Sequence, residues 1–154
     1  MKRLSLLFGL WLWFLVAGQA AAASNPVIEG EISGVEICAQ FLEQCNAAVF
    51  TGTCDCEIDS RDTPGFFWVS VQHDPLPMPF DSSDILGGKW NLTTLRGSFS
   101  GKVIGGSIIN NNDNTFTIDA TLRIQKKGNG EIKASGVLDH NVFPPIFEGY
   151  LLQP

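Results

Sequence analysis

Alternating apolar and polar residues run through the second half of the chain and predict β-strands. In residues 115–125 every second side chain is apolar, and threonine or charged residues fill most of the positions between them. A period of two over such a length, rich in β-branched residues, is typical of a strand with one buried face. Residues 127–130 follow, and their two glycines and one asparagine favour a hairpin turn. A returning strand is predicted over residues 131–139.

Further strands are predicted on both sides of this hairpin. Residues 98–109 form one of them, and we expect Gly101, Gly105 and Gly106 within it to mark bulges or bends. The asparagine-rich stretch 110–114 is predicted to be the turn that follows. The remaining predicted strands cover residues 27–33, 35–41, 47–58, 66–73, 88–95 and 146–152.

Eight or nine short strands without a convincing amphipathic helix predict an all-β domain. The glycine bends and consecutive hairpins favour a single antiparallel β-barrel of about eight strands, with a β-sandwich as the alternative. Residues 74–87, which contain three prolines, form the longest predicted loop. The predicted barrel is similar in architecture to small eight-stranded barrels such as the dirigent and allene oxide cyclase group or the lipocalins. Architecture alone does not give function, so this likeness implies no site residues.

Residues 1–23 show a different pattern, which is that of a secretory signal peptide. Lys2 and Arg3 precede an almost wholly apolar run over residues 4–17, which is too short to span a bilayer, and small residues follow. We expect cleavage after Ala22 or Ala23. The mature chain is then a single domain over residues 24–154, secreted or periplasmic and without a membrane anchor.

The charge of the mature chain bears on its partners. Loss of Lys2 and Arg3 reduces ten basic residues to eight, and all sixteen acidic residues remain, which gives a net charge of −8. An acidic surface repels phosphate groups, so nucleic acid and anionic lipid are not expected as partners.

Four cysteines, Cys38, Cys45, Cys54 and Cys56, lie close together near the mature N-terminus. In an exported protein such a set predicts two disulfides. A bond between Cys54 and Cys56 would close a very tight ring, so we expect each of them to pair with Cys38 or Cys45. The alternative is a metal site, but the spacings fit no zinc pattern.

Both histidines stand at the ends of predicted strands and beside an aspartate. His73 precedes Asp74, and His140 follows Asp139, each at the start of a proline-containing loop. If the two strands run in the same direction, the four side chains share one rim of the sheet. They are candidates for acid–base catalysis or, more weakly for the histidines, for metal binding. The alternative is that each group only bonds to the backbone of its own loop.

The aromatic residues suggest binding. Phe66, Phe67 and Trp68 are consecutive, so one strand carries aromatic groups on both faces. Phe66, Trp68 and Trp90 are candidates for contact with a ligand, although most aromatic residues in a small β-domain are core.

These features favour a non-catalytic exported protein that binds a small apolar ligand or a protein partner, and they indicate no cofactor. The alternatives are a small isomerase, cyclase or hydrolase that uses the histidine and aspartate residues, and a structural or surface-assembly subunit. An unpaired edge strand would favour the last alternative. No nucleophile, zinc-protease or phosphate-loop motif is present to name a reaction.

Overall fold

The computed structural model describes residues 25–38, 47–76 and 78–153, and within these ranges the chain forms eight β-strands and no helix. Each strand is antiparallel to the next in sequence, and the last pairs with the first to close a barrel. The predicted antiparallel barrel is therefore confirmed, and the alternative of a sandwich is wrong. The strands are β1 Ile28–Cys38, β2 Ala47–Ile58, β3 Gly65–His73, β4 Ser82–Thr94, β5 Gly97–Asn110, β6 Thr115–Lys126, β7 Glu131–Asp139 and β8 Ile146–Leu152.

Closure of the barrel bears on whether a strand from another chain could pair with the described strands. Each of the eight has a hydrogen-bonded neighbour on both sides, so no edge strand is left among them. Strand addition to an open edge is therefore not available to this part of the chain. In the same ranges there is no helix long and apolar enough to cross a membrane.

The barrel interior is filled by the alternating apolar positions. Phe116, Ile118, Ala120, Leu122 and Ile124 of β6 are all less than one-tenth exposed, as the alternation predicted. The same alternation is seen in β2 and β4, where every second side chain is buried over much of the strand. In β5 the buried residues are Phe99, Val103 and Ile108. Burial of these side chains is the main stabilising contribution to such a barrel.

β1 is a single strand where two were predicted. Gly34, which separated the two predictions, pairs with Gly52 of β2 and with Phe147 of β8. A Cβ atom at Gly34 would come within 2.9 Å of the Phe67 ring. Glycine therefore lets the strand pass over a large interior side chain without a break. Residues 39–41 of the second predicted strand lie outside the described residues.

β4 begins earlier than predicted, so the loop before it covers residues 74–81 only. The first residues of β4, Ser82–Asp84, pair with Ser107–Ile109 of β5. Gly87 and Gly88 have φ angles of +153° and +156°, a conformation that glycine adopts readily and that carries β4 through an irregular stretch. Serine and aspartate are common in loops. Here pairing with β5 outweighs that preference.

Strand direction places the connecting loops at the two ends of the barrel. Because all neighbours are antiparallel, β1, β3, β5 and β7 run the same way. The loops 74–81, 111–114 and 140–145 therefore lie at one end, which we call the loop end. At the other end the backbone N–H of Ile28 donates to Oε1 of Gln153 over 3.2 Å. The first and last described segments of the chain thus meet.

Candidate functional site

Among the described residues, the interior of the barrel is a packed core that contains a small cavity. Its volume is about 50 Å³, and Phe50, Phe67, Trp90 and Leu92 are among the residues of its wall. Pockets for small ligands usually enclose about 300–1,000 Å³. This cavity is therefore far too small for a ligand of ordinary size.

Trp90 belongs to this core. Its side chain is 4% exposed, and its indole Nε1 donates a hydrogen bond of 3.1 Å to the carbonyl oxygen of Arg123. The indole is thus both buried and satisfied. Of the three predicted aromatic binding residues, Trp90 faces the interior, and the other two do not.

Phe66 and Trp68 point outward from β3. The Phe67 side chain between them is 5% exposed, whereas Phe66 and Trp68 are 70% and 40% exposed. Side chains alternate across a strand, so two aromatic groups separated by one inward residue share the outer surface. Their separation along the strand is about 6.6 Å. Adjacent exposed aromatic side chains form the kind of apolar surface that marks contact sites in proteins, so this pair defines the candidate site.

Each of these aromatic residues lies between two residues with hydroxyl or amide side chains on the neighbouring strands. Phe66 pairs with Thr53 of β2 and Thr93 of β4. Trp68 pairs in the same way with Thr51 and Asn91. On β5, Ser98 pairs with Thr93, and Ser100 pairs with Asn91 and also with Lys126 of β6. We call the following outward residues the aromatic face: Thr51, Thr53, Phe66, Trp68, Asn91, Thr93, Ser98 and Ser100.

The polar side chains of the aromatic face contact one another. The Thr93 hydroxyl donates to Oδ1 of Asn91 over 2.8 Å, and it lies 3.3 Å from the Ser98 hydroxyl oxygen. These contacts hold the side chains beside the aromatic rings in defined positions. None of the eight residues carries a charge, so the surface offers aromatic rings, hydroxyl groups and an amide.

An open groove of about 490 Å³ adjoins the aromatic face at Thr53. It crosses the outer surface of β1, β2, β7 and β8, and Tyr150 in its wall is 54% exposed. Three acidic residues, Glu31, Asp55 and Glu148, also line it, and its wall contains no basic residue. The groove therefore extends the aromatic face toward a third exposed aromatic side chain in a region of negative charge.

His73 is held by its own loop. The side chain is 4% exposed, and Nδ1 lies 2.6 Å from the carbonyl oxygen of Asp74. A carbonyl oxygen only accepts, so Nδ1 carries the proton of this bond. The backbone N–H of Asp74 in turn donates to the carbonyl oxygen of Asp84 over 3.0 Å. These contacts link the start of the loop to β4.

His140 makes a different contact, to an acidic residue of β1 that no sequence pattern indicated. Its Nε2 lies 2.9 Å from Oε2 of Glu36 in β1, and its ring packs against Phe116 with centroids 5.0 Å apart. Asp139 accepts a hydrogen bond from the backbone N–H of Asn141 over 2.7 Å. The pair of His140 and Glu36 therefore links the loop after β7 to β1.

The two histidines share the loop end of the barrel but have separate environments. β3 and β7 run in the same direction, which the hypothesis of a shared rim required. Three strands nevertheless lie between them in each direction around the barrel. Neither the interior cavity nor the outer groove has a histidine in its wall. Within the described ranges, no three histidine, cysteine, aspartate or glutamate side chains are grouped so as to hold a metal ion. The geometry thus gives each histidine a local structural partner.

The described cysteines pair differently from the prediction. Cys54 and Cys56 form a disulfide with each other, and both side chains are 1% exposed. The expectation that each bonds to Cys38 or Cys45 is not supported. Both side chains point into the interior because residues two apart share a face of a strand, so the two sulfur atoms are neighbours although the ring that they close is small. Cys45 and the side chain of Cys38 lie outside the described residues.

Comparison with known proteins gives no relative, because no protein-family model, curated protein or solved structure matches this chain. The candidate site therefore rests on the geometry of the chain itself.

Proposed function

We propose that this chain is an exported, non-catalytic binding protein whose ligand contacts the outside of the barrel rather than its interior. The observation that carries the proposal is the outward direction of Phe66 and Trp68 on either side of the buried Phe67. Two aromatic side chains left in water lose the free energy that burial would provide. Contact with a ligand would recover it.

The size of the interior cavity argues against the other location for a ligand. A space of about 50 Å³ admits little more than water, so a small apolar ligand inside the barrel would need the core to open. The outer surface needs no such rearrangement. The proposal therefore keeps binding as the function and places it on the aromatic face.

Export is part of the same proposal. It supposes that residues 1–23 are removed as a signal peptide and that the domain works in the periplasm or outside the cell. In such a compartment a second disulfide is expected, and it would join Cys38 to Cys45, since Cys54 and Cys56 are bonded to each other. Protein purified from culture medium or periplasm should have the intact mass of a chain that starts at residue 23 or 24.

Retention of material from the source organism tests the binding surface. Immobilised protein and its Phe66→Ser/Trp68→Ser variant are exposed to separated protein, lipid and polysaccharide fractions of the cell envelope and medium. We expect one fraction to be retained by the natural protein and lost from the variant. Phe80→Ser is the matched control, since Phe80 is an exposed aromatic residue in the loop 74–81. Equal retention by all three proteins would contradict the proposal.

A further inference from the structure

We infer that the ligand of the aromatic face is a neutral polysaccharide or oligosaccharide, bound across the strands from Trp68 and Phe66 toward Tyr150. This inference rests on the proposed function, because it names the ligand class for the same surface. It follows from three features of that surface: the rings, their polar neighbours and the negative charge of the adjoining groove.

The rings provide the first feature. The face of an aromatic ring is electron-rich, and the polarised C–H bonds on one side of a sugar ring can lie flat against it. Phe66 and Trp68 offer two such rings side by side on one strand, both exposed. A surface for a protein partner would be expected to surround its aromatic anchors with further apolar side chains. Here the cross-strand neighbours are polar.

These polar neighbours provide the second feature. Thr53 and Thr93 flank Phe66, and Thr51 and Asn91 flank Trp68. Hydroxyl and amide groups both donate and accept hydrogen bonds, as sugar hydroxyls do. An aromatic ring with such groups on both sides therefore matches a ligand whose flat apolar faces are edged by hydroxyl groups.

Charge provides the third feature. The groove beside Thr53 carries Glu31, Asp55 and Glu148, and the mature chain carries a net charge of −8. Carboxylates accept hydrogen bonds from sugar hydroxyls, but they repel uronic acids, sulfates and phosphates. Tyr150 places a further exposed ring in this groove. Lys89 and Lys126 lie at the opposite edge of the aromatic face, beside Asn91 and Ser100. The preference for a neutral over an anionic glycan therefore applies to the groove side of the face, where Tyr150 lies.

Calorimetric titration of the natural protein with cellohexaose, maltohexaose and chitohexaose, each at millimolar concentration, tests the inference. We expect at least one of these neutral hexasaccharides to bind and polygalacturonate not to bind. The Trp68→Ala variant should lose about tenfold in affinity or more, and Tyr150→Ala should lose less. Phe80→Ala should bind like the natural protein. A shift in the fluorescence of Trp68 on binding gives a second readout, because the other mature tryptophan, Trp90, is buried.

The outcomes separate this inference from the proposed function. If no hexasaccharide binds, or if Trp68→Ala binds the sugar unchanged, the glycan inference is wrong. If a protein fraction is then still retained through Phe66 and Trp68, the outer binding surface stands with a different ligand. If neither sugar binding nor the retention of any fraction depends on Phe66 and Trp68, both proposals fail. Thermal unfolding of each variant checks that a loss of binding is not a loss of fold.

Discussion

The indole Nε1 of Trp90 in β4 and the carbonyl oxygen of Arg123 in β6 are joined by a hydrogen bond of 3.1 Å that crosses the intervening strand. Gly101 of β5 lies beneath this bond, at a position where the register with β6 shifts. A Cβ atom at Gly101 would overlap the Arg123 carbonyl oxygen and come within 2.9 Å of the Trp90 nitrogen. The bond therefore requires glycine at this position.

Gly101→Ala should lower the free energy of unfolding by more than about 2 kcal/mol, because backbone would have to move to admit the methyl group. Trp90→Phe should lower it by about 1–3 kcal/mol through the lost hydrogen bond and volume. Urea unfolding followed by circular dichroism measures both. Ser100→Ala, at the preceding residue, serves as the control and should shift the free energy of unfolding by no more than about 0.5 kcal/mol. Unchanged stability of Gly101→Ala would show that the strands are not this close.

Peptide mapping without reductant should find Cys54 bonded to Cys56. In a Cys38→Ser/Cys45→Ser background, reducing the remaining bond should cost about 1–2 kcal/mol of unfolding free energy, because the closed loop contains only three residues and restricts the unfolded chain little. Urea unfolding with and without reductant measures this difference. Peptides that join Cys54 or Cys56 to Cys38 or Cys45 would refute the pairing.

The effects of His73→Ala and His140→Ala on stability should add to within about 0.5 kcal/mol. His73 bonds to the backbone of its own loop and His140 to Glu36, so neither substitution removes a partner of the other. A double-mutant cycle of unfolding free energies measures the coupling. A coupling well above that limit would instead indicate a shared site at the loop end and would favour the predicted catalytic role of the two histidines.

Leu92→Ala should lower the free energy of unfolding by about 2–5 kcal/mol, since Leu92 is 1% exposed and lines the interior cavity. The enlarged cavity should bind benzene, which the natural protein should not. The change in melting temperature on adding benzene measures this binding. Leu86→Ala is the control, since Leu86 is 63% exposed on the same strand. Benzene binding by the natural protein would show that the interior cavity is larger than about 50 Å³.

Asp113 provides a pH-dependent prediction. Hydrogen bonds from the side chain and backbone of Thr115 lower the pKa of this carboxyl below its usual value of 3.8. A lowered folded-state pKa means that the stabilisation is present above the unfolded value and is lost as the pH falls through the folded value. Asp113→Asn should therefore melt at a slightly lower temperature than the natural protein at neutral pH, and the difference should vanish well below pH 3.8. Asp119→Asn is the control. If the difference in melting temperature persists in acid, the effect comes from the shape of the Asp113 side chain and not from its charge.

The sequence predicted those parts of the fold that depend on neighbouring residues. The strict alternation of residues 115–125 placed the inward face of β6, and the glycines at 101 and 105 marked the register shifts of β5. The start of β4 at Ser82 was missed because serine and aspartate favour loops, and only pairing with Ile109 makes them a strand. The gap predicted at Gly34 likewise arose because local preference does not include the Phe67 ring beneath it.

The candidate site was predicted only in part for the same reason. Consecutive aromatic residues showed that Phe66 or Phe67 had to face outward, and the structure decides which. The placement of Thr53 and Thr93 beside Phe66 depends on the register of three strands, which no single stretch of sequence contains. The contact of His140 with Glu36 joins residues 104 positions apart. Partners so distant in the chain leave no local pattern.

The meeting of Ile28 with Gln153 at the end opposite the loop end has a practical consequence. A short linker could join the two ends of the described chain, and new ends could be opened at the turn after Thr94 without changing the order of the strands. Such a circularly permuted protein would keep the ring of eight strands intact. It would also place both new ends beside Thr93 and Ser98, where a fused fluorescent reporter could respond to an occupied surface.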